Sequence, residues 1–409
     1  MTVKRRHILY VPGYDPRGLA EYYRLFRSEY RKACALYGLE GHVSRVTEEE
    51  DRHAARWTYS TRGADWQVET TYEFLRWEHI IRKDFARPVW WKIRKGYAVF
   101  GRSVLNGVWF RLLRAHWRFG LFIAYPYVLM LLYALGSSLV GWLLALLTGL
   151  TGLPSPITGL IGLAAAIALF IWVLRKTEPQ TYLLYLFDDG ISTRQYSLGE
   201  RTDWHERMEI FAGYVVDTAR TSDADEIVVV GHSSGSFLAI EVMDRALARD
   251  PQLGRHGPRV ALLTIGANLP IVGFHPEARD FRERIRRLAI NDSFDWVDYQ
   301  SRHDIMNFWP FDPVTDHRID AGSERRNPTV IPISFRDLWI PGDFGRRRWR
   351  FFRAHFQFLM ANERRGAAYD YYLICCGPYP LAYRAQHPDE AVRAMESQHP
   401  ARADLASQA

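Results

Sequence analysis

The stretch Glu226-Ile-Val-Val-Val-Gly-His-Ser-Ser-Gly-Ser-Phe-Leu-Ala-Ile240 decides the predicted fold. A β-branched run leads into Gly231-His-Ser-Ser-Gly235, and an apolar, helix-compatible segment follows. We therefore predict a strand, a sharp turn and a helix, with Ser233 on the turn in a strained backbone conformation. Glycines two positions before and after this serine remove side chains that would otherwise collide there. The pattern predicts an exposed nucleophile, and an ordinary Gly/Ser turn is the alternative.

Length and composition predict a globular chain that carries an insertion. With 409 residues, 48% of them hydrophobic, the chain exceeds what a domain of about 250 residues needs. Cys34 and the adjacent Cys375 and Cys376 lack metal-ligand spacing, so we expect free thiols in a reducing compartment. A net charge of +7 without a nucleic-acid motif favours a membrane surface as partner. No metal or organic cofactor is expected, because the histidines lack paired-ligand spacing.

Residues 1–71 are predicted to form the first part of an α/β core. After Lys4-Arg-Arg6 the apolar run to Val11 is too short for a signal peptide, so we expect the amino terminus to stay cytoplasmic. The same run predicts a buried strand that ends at Pro12. It is followed by a predicted helix over 21–36, a strand over 42–46, and a further strand or hairpin over 57–59 and 66–71.

Residues 72–180 differ in character and predict an insertion. The stretch from Tyr72 to Phe119 is rich in interleaved tryptophan, arginine and lysine, which is typical of interfacial helices; a globular helix with solvent-facing arginines is the alternative. Two uncharged segments, 121–150 and 157–174, are each long enough to cross a bilayer, for which about 20 residues suffice. A buried helical hairpin is the alternative. The two segments therefore predict a pair of membrane helices. Cations lie before the first segment and after the second, and none lies in the loop between them, which predicts that both soluble parts are in the cytoplasm. The membrane would be the inner membrane if the source is bacterial.

Residues 181–385 are predicted to form the second part of the core, before a polar tail over 386–409. Strands and helices alternate, and this alternation predicts a mostly parallel sheet covered by helices on both faces. The predicted elements are a strand over 181–187, an acidic turn over 188–190, a helix over 207–219, the strand that ends at Ser233, a helix over 236–249 and a strand over 259–266.

A serine hydroxyl needs a base and an orienting acid, and both should follow Ser233 in the chain. The stretch 294–300 predicts a strand, so Asp304 lies in the loop at its carboxyl end, where the acid is needed. Asp298, inside the strand, and Asp312, in a Pro-flanked turn, remain alternatives. His355 is the predicted base, since it lies between the last strand, 329–335, and the tail that contains His387 and His399.

The other residues of the predicted site are two histidines, the donors of an oxyanion hole and an arginine-rich run. His355 also fits a packed histidine among aromatic neighbours, and His232, beside the nucleophile, is expected to point elsewhere. An oxyanion hole requires two backbone N–H groups, predicted from Ser234 and from the loop at Gly13 and Tyr14. Gly13 alternatively serves only as a turn residue. The run Arg346-Arg-Arg-Trp-Arg350 is a candidate for binding a phosphate or anionic headgroup, or is a solvated surface.

The run Val230-Gly-His-Ser-Ser-Gly235, together with Leu262-Leu-Thr-Ile-Gly-Ala267, resembles lipase-type members of the α/β-hydrolase superfamily. The resemblance covers roughly residues 4–60 and 180–380. It implies that Ser233, Asp304 and His355 form a triad that cleaves carboxylic esters. Lipases often have Leu and Gly where this chain has Ser234 and Ser236. The predicted function is a membrane-anchored serine hydrolase acting on a lipophilic ester; a non-catalytic membrane scaffold and an acyltransferase are the alternatives.

Overall fold

The computed structural model describes residues 2–49, 52–342, 345 and 350–391. The chain divides into two compact units, one made of residues 1–83 and 196–409 and the other of Asp84–Gln195. We call the first the sheet unit and the second the helical unit. The helical unit is therefore an insertion in the sequence of the sheet unit.

The strands of the described residues all belong to the sheet unit. They are β1 (Arg5–Val11), β2 (Glu40–Val43), β3 (Thr47–Glu49), β4 (Ala54–Arg62), β5 (Gln67–Leu75), β6 (Glu226–His232), β7 (Arg259–Ile265), β8 (Asp295–Ser301) and β9 (Thr329–Ile333).

The α-helices of the described residues vary widely in length. They are α1 (Leu19–Tyr37), α2 (Glu78–Phe85), α3 (Val89–Leu105), α4 (Val108–Ala115), α5 (Trp117–Gly149), α6 (Ser155–Thr181), α7 (Leu183–Ser197), α8 (Thr202–Thr221), α9 (Gly235–Arg249), α10 (Pro270–Gly273), α11 (Arg279–Ile290), α12 (Phe335–Leu338), α13 (Phe351–His355), α14 (Tyr371–Cys376) and α15 (Leu381–Gln386).

The sheet is mixed but mostly parallel, which confirms the predicted α/β class. Its strand order is β2-β4-β5-β1-β6-β7-β8-β9, with β3 paired to β4. The run from β5 through β1 to β9 is parallel, whereas β2, β3 and β4 form antiparallel pairs. The parallel strands therefore all end at one edge, which collects the loops after β1, β6, β7 and β8.

The central strands are buried on both faces. β6 is β-branched from Ile227 to Val230, which suits a pleated strand, and all seven of its residues are buried. Val228 and Val230 share a core cluster with Phe26 of α1 and with Tyr371 of α14. Since side chains alternate along a strand, Ile227 and Val229 face the other way, and α8 and α9 both contact β6.

A buried ion pair fastens the first strand to the end of the described chain. Arg6 in β1 donates from Nε to Glu226 of β6 at 2.7 Å, and both side chains are buried. The Arg6 guanidinium also donates to the carbonyl oxygens of Gly377, at 2.7 Å, and Tyr379, at 2.8 Å. Because its donors reach both an acid and backbone carbonyls, the buried charge is compensated and joins three distant parts of the chain.

The helical unit contains two helices, α5 and α6, that are long and apolar enough to cross a membrane. Their contact is lined by small residues. A methyl group built on Gly141 would lie 2.7 Å from Cβ of Ala166, and one built on Gly162 would lie 2.5 Å from the Gly141 carbonyl oxygen. Backbones can approach this closely only where side chains are absent or short.

The structure differs from the sequence prediction on both sides of the insertion. The predicted strand over Thr181–Phe187 is wrong, because this segment ends α6 and begins α7, and the predicted turn over 188–190 lies inside α7. The helix is stabilised by Glu178, whose carboxylate accepts from the backbone N–H of Leu184 at 3.0 Å. The predicted insertion boundary at residue 72 falls inside β5, and the helical unit instead begins at Asp84.

Two predictions lie wholly or partly outside the described residues. In the arginine-rich run only Arg350 is described, and the polar tail is described only as far as Ala391. The binding role of that run therefore stays a prediction.

Candidate functional site

Ser233 lies in the turn between β6 and α9 with a backbone φ of 58°, the left-handed region that L residues other than glycine seldom adopt. Both neighbouring glycines are sterically required. A methyl group on Gly231 would come within 2.7 Å of the Ser236 Cα, and one on Gly235 would overlap the Val11 carbonyl oxygen. The turn therefore has the geometry that the Gly-x-Ser-x-Gly pattern predicts.

Backbone hydrogen bonds hold this strained turn in place. The N–H of Ser233 donates to the carbonyl of Ile265 at the end of β7, at 3.2 Å. The carbonyl of Ser233 accepts from the N–H of Ser236 at 2.9 Å and from its hydroxyl at 2.5 Å. The serine is thus fixed between two strand ends while its own side chain is half-buried.

Asp304 and His355 form a buried hydrogen-bonded pair. Nδ1 of His355, at the end of α13, lies 2.6 Å from a carboxylate oxygen of Asp304, in the loop after β8. The other carboxylate oxygen accepts from the N–H of Met306 at 2.9 Å. Asn307 braces the loop by donating to the carbonyls of Ser301, at 2.7 Å, and Asp304, at 2.9 Å.

The two ring nitrogens of His355 differ in their surroundings. Nε2 is buried and has no hydrogen-bond partner among the described residues. A buried polar atom without a partner is unfavourable, so it marks a place where a substrate group, the serine hydroxyl or water is expected to bind. The pair to Asp304 fixes the proton on Nδ1, which leaves Nε2 as an acceptor.

The loop after β7 connects Ser233 to His355. A methyl group on Gly266 would lie 3.1 Å from Cε1 of His355, the ring carbon between the two nitrogens. Gly266 directly follows Ile265, which is hydrogen-bonded to the N–H of Ser233. Ser233 and the Asp304–His355 pair therefore lie at the same edge of the sheet, at the carboxyl ends of β6, β7 and β8, although the Ser233 hydroxyl makes no hydrogen bond to Nε2 of His355.

The two alternative acids serve structural pairs. Asp298 is fully buried and accepts from the Thr264 hydroxyl at 2.6 Å and from the Gln300 amide at 2.7 Å. Burial raises the pKa of Asp298 to about 6. Asp312 is partly exposed and pairs with Arg325 at 2.5 Å. Burial opposes the change, but the hydrogen bond from Arg325 lowers the pKa of Asp312. Asp304 is the acid that contacts His355.

His232 does not point away from the site, and the sequence prediction was wrong on this residue. Its ring packs on that of His355, with centroids 4.6 Å apart and planes 30° apart. Its Nε2 donates to the carbonyl oxygen of His355 at 3.3 Å. Burial, reinforced by the neighbouring His355, lowers the pKa of His232 well below its usual value, so the ring stays neutral. His232 thus contacts His355 in two ways, by ring packing and by the hydrogen bond from its Nε2 to the His355 carbonyl.

Gly13, in the loop after β1, lies against the serine turn. A methyl group built on Gly13 would lie 3.2 Å from Cβ of Ser233 and 3.5 Å from the backbone nitrogen of Ser234. Tyr14 is buried, and Trp77 donates from its indole to the carbonyl of Pro12 at 3.0 Å, which holds the loop. Gly13, Tyr14 and the N–H of Ser234 are therefore grouped beside Ser233.

Asn268 is a polar residue at this edge that the sequence analysis did not find. It is buried in the loop after β7, and its amide nitrogen lies 3.5 Å from the Ser234 hydroxyl. Its carbonyl oxygen has no partner among the described residues. The only sequence signal was an asparagine two residues after Gly266, which is common in loops.

No protein-family model matches the chain, and neither the curated proteins nor the solved structures contain a match to it. Within the described residues, no group of three or more His, Cys, Asp or Glu side chains is arranged to hold a metal ion.

Proposed function

We propose that this chain is a serine hydrolase of the α/β-hydrolase type that cleaves a carboxylic ester. Ser233 is the nucleophile, His355 the general base and Asp304 the acid that orients it. The observation that carries the proposal is the buried 2.6 Å hydrogen bond between Nδ1 of His355 and a carboxylate oxygen of Asp304, with Nε2 unpartnered at the edge where Ser233 has its left-handed backbone. This arrangement has the three components that activate a serine hydroxyl.

The reaction follows from these positions. Oγ of Ser233 attacks the ester carbonyl carbon while its proton passes to Nε2 of His355. The negative charge that develops on the carbonyl oxygen is stabilised by the N–H groups of Ser234 and of the loop at Gly13 and Tyr14. His355 then protonates the leaving alcohol. Water attacks the acyl-serine by the same path in reverse and releases the carboxylic acid.

The two apolar helices support a membrane-anchored enzyme with a lipophilic substrate. β1 is hydrogen-bonded to β5 before the insertion and to β6 after it, so both ends of the insertion must lie on the same side of a membrane. Two crossings satisfy this condition. The cations at the outer ends of the hairpin, with none in the connecting loop, support a cytoplasmic position for the sheet unit.

Labelling with a fluorophosphonate probe tests the nucleophile. We expect the folded wild-type chain to be labelled and Ser233→Ala to be unlabelled, because the probe reacts with an activated serine. Ser28→Ala, which removes an exposed hydroxyl from α1, is the control and should label like the wild type. Labelling that persists in Ser233→Ala, or that never occurs in the folded wild type, contradicts the proposal.

The two alternative functions are separated by further measurements. A non-catalytic scaffold would leave the wild type unlabelled even when thermal unfolding shows it to be folded. An acyltransferase would be labelled at Ser233 but would pass its acyl group to an added alcohol faster than to water. Product analysis with and without such an alcohol distinguishes transfer from hydrolysis.

A further inference from the structure

The stretch of the helical unit that lies between its acidic residues at either end has a strong charge asymmetry. From Phe85 to Thr177 the sequence contains ten lysine and arginine residues and no aspartate or glutamate. Eight of the ten cations precede Phe119, and the other two are Arg175 and Lys176. A partner that binds this part of the chain through charge must therefore be anionic.

One face of α3 presents both large apolar side chains and cations to the outside. Trp90, Arg94, Arg102 and Leu105 are exposed, at steps of three, four or eight residues, whereas Lys92 and Gly96 are buried on the opposite face. Trp90 is 65% exposed and Leu105 is 88% exposed. Residues at this spacing share one side of a helix.

The exposed face continues on α4 and at the beginning of α5. Phe110 is 55% exposed and Trp117 is 60% exposed, and the side chain of Arg114 lies between them in sequence and is also exposed. The Arg118 guanidinium lies over the Trp117 ring at 5.4 Å from the ring centroid. Aromatic rings interleaved with cations are typical of side chains at the depth of lipid headgroups.

Contacts within the helical unit place α3 and α4 beside the first three turns of α5. The Tyr97 hydroxyl of α3 donates to the carbonyl of Tyr127 at 2.7 Å. The Trp109 indole of α4 donates to the carbonyl of Gly120 at 2.9 Å. Beyond these contacts α5 continues for the 22 residues from Val128 to Gly149, which is about 33 Å of helix and matches a hydrocarbon core of about 30 Å.

The carboxyl-terminal end of α6 lies beside the amino-terminal part of α5. The Tyr125 hydroxyl of α5 donates to the carbonyl of Thr181 at 3.2 Å, and Arg175 and Lys176 occupy the last turns of α6. The cations of both helices are thus gathered at one end of the hairpin. That end is where headgroup phosphates would lie if the rest of the hairpin crosses the hydrocarbon.

We propose that a cationic aromatic collar, consisting of Trp90, Arg94, Arg102, Phe110, Arg114 and Trp117, binds anionic phospholipids of the membrane leaflet at the end of the α5–α6 hairpin where the cations are gathered. The guanidinium groups pair with headgroup phosphates, and the rings lie at the boundary between headgroups and acyl chains. This binding goes beyond the proposed ester cleavage, because it does not involve Ser233. The membrane partner is therefore a leaflet rich in acidic lipid.

Ala98 gives a position from which to test the collar. It is exposed on α3 between Arg94 and Arg102, and the three cysteines of the chain are all buried. An environment-sensitive fluorophore on Ala98→Cys, in the full-length chain reconstituted into vesicles, should be quenched by lipids that carry bromine on their acyl chains. Brominated phosphatidylglycerol is compared with brominated phosphatidylcholine at equal mole fraction.

We expect phosphatidylglycerol to bind near the label at least about fivefold more strongly, which corresponds to about 1 kcal/mol, the effect of one cation near an anionic surface. The triple change Arg94→Gln, Arg102→Gln, Arg114→Gln should bring the ratio close to one. The matched triple change Arg24→Gln, Arg27→Gln, Arg31→Gln, on the exposed side of α1, removes the same charge from the sheet unit and should keep the preference.

Three results overturn the proposal: equal quenching by both lipids, no quenching by either, or an equal loss of preference in the two triple variants. The second result would mean that water or a protein covers this face. The same experiment in a Ser233→Ala background should give the same ratio. Failure of the collar is therefore distinguishable from failure of the proposed chemistry.

Discussion

The sheet unit and the α5–α6 hairpin bury opposite kinds of side chain. In the sheet, apolar residues such as Ile8 and Val228 have no exposed surface. In the hairpin, Leu135 and Leu139 are more than half exposed, while Gly141 and Gly162 are buried. Water drives apolar side chains inward, whereas a lipid environment provides no such force and helices there associate through small residues. The sheet unit therefore follows the pattern of a core formed in water, and the hairpin has the composition of helices long and apolar enough to cross a membrane.

Charged groups sharpen this contrast. The sheet unit buries carboxylates and gives each several partners. Glu241 of α9 has no exposed side-chain surface and binds His205 at 2.8 Å, Tyr196 at 2.6 Å, Arg245 at 2.7 Å and Arg284 at 2.9 Å. By contrast, the chain from Phe119, after Arg118 in α5, to Leu174, before Arg175 in α6, contains no charged side chain.

The largest expected effect comes from the buried acid of the candidate site. In Asp304→Asn the amide would donate to Nδ1 of His355 and leave the proton on Nε2, where it blocks transfer from Ser233. We expect turnover of a short-chain p-nitrophenyl ester to fall about 10⁴-fold, the scale that loss of the orienting acid has in serine proteases. Asp312→Asn, at the surface pair with Arg325, should keep most of the activity. Comparable activity in both variants would show that Asp304 is only structural.

The next effect tests whether the sheet unit depends on its buried charge network. We expect Glu241→Gln to lower the free energy of unfolding by about 2–4 kcal/mol, because it takes a buried negative charge away from Arg245 and Arg284, which are themselves partly buried. Glu209→Gln removes a more exposed partner of Arg245 and should cost less than about 1 kcal/mol. Thermal unfolding in detergent measures both. Equal losses would mean that burial of the acid adds nothing.

This network also has a predictable pH dependence. Burial alone would raise the pKa of Glu241, but hydrogen bonds and charges, chiefly from His205 and Arg284, lower it to about 2. An acid whose pKa is lowered by folding contributes its stabilisation above the pKa of the unfolded chain, about 4.3, and loses it as the pH falls toward 2. The stability difference between wild type and Glu241→Gln should therefore shrink over that interval.

The smallest expected effect tests the hairpin. In Gly141→Leu the new side chain would collide with the backbone of Gly162, and we expect a loss of about 1–3 kcal/mol. Gly136→Leu, in the same helix, has open space around it and should be neutral. Unfolding in mixed micelles with rising SDS measures the difference. Two equally tolerated leucines would contradict close packing of α5 on α6.

Local patterns were sufficient to predict most of the fold. The β-branched run before Gly231 and the apolar spacing of α1 predicted elements that the structure contains, because a buried strand and an amphipathic helix each leave a simple periodicity. The loop position of Asp304 likewise predicted its proximity to His355, although 51 residues separate them.

Features that depend on distant partners were not predictable. The apolar run from Thr181 fits a strand or a helix equally well, and Asp188-Asp-Gly190 resembles a turn. The burial of Leu183, Phe187 and Ile191 on one helical face becomes clear only when the run is read past that apparent turn. The contact of His232 with His355 joins positions 123 residues apart and leaves no local signal.

The ion pair of Arg6 has a consequence for synthesis of the chain. The carbonyl of Gly377 that Arg6 binds comes 371 residues later, so β1 cannot complete its contacts until nearly all of the described chain has been made. At roughly 5–20 residues per second, translation of that interval takes roughly 20–75 s. The apolar helices leave the ribosome well before then. The segments that form α5 and α6 are therefore complete well before β1 can reach all of its partners in the sheet unit.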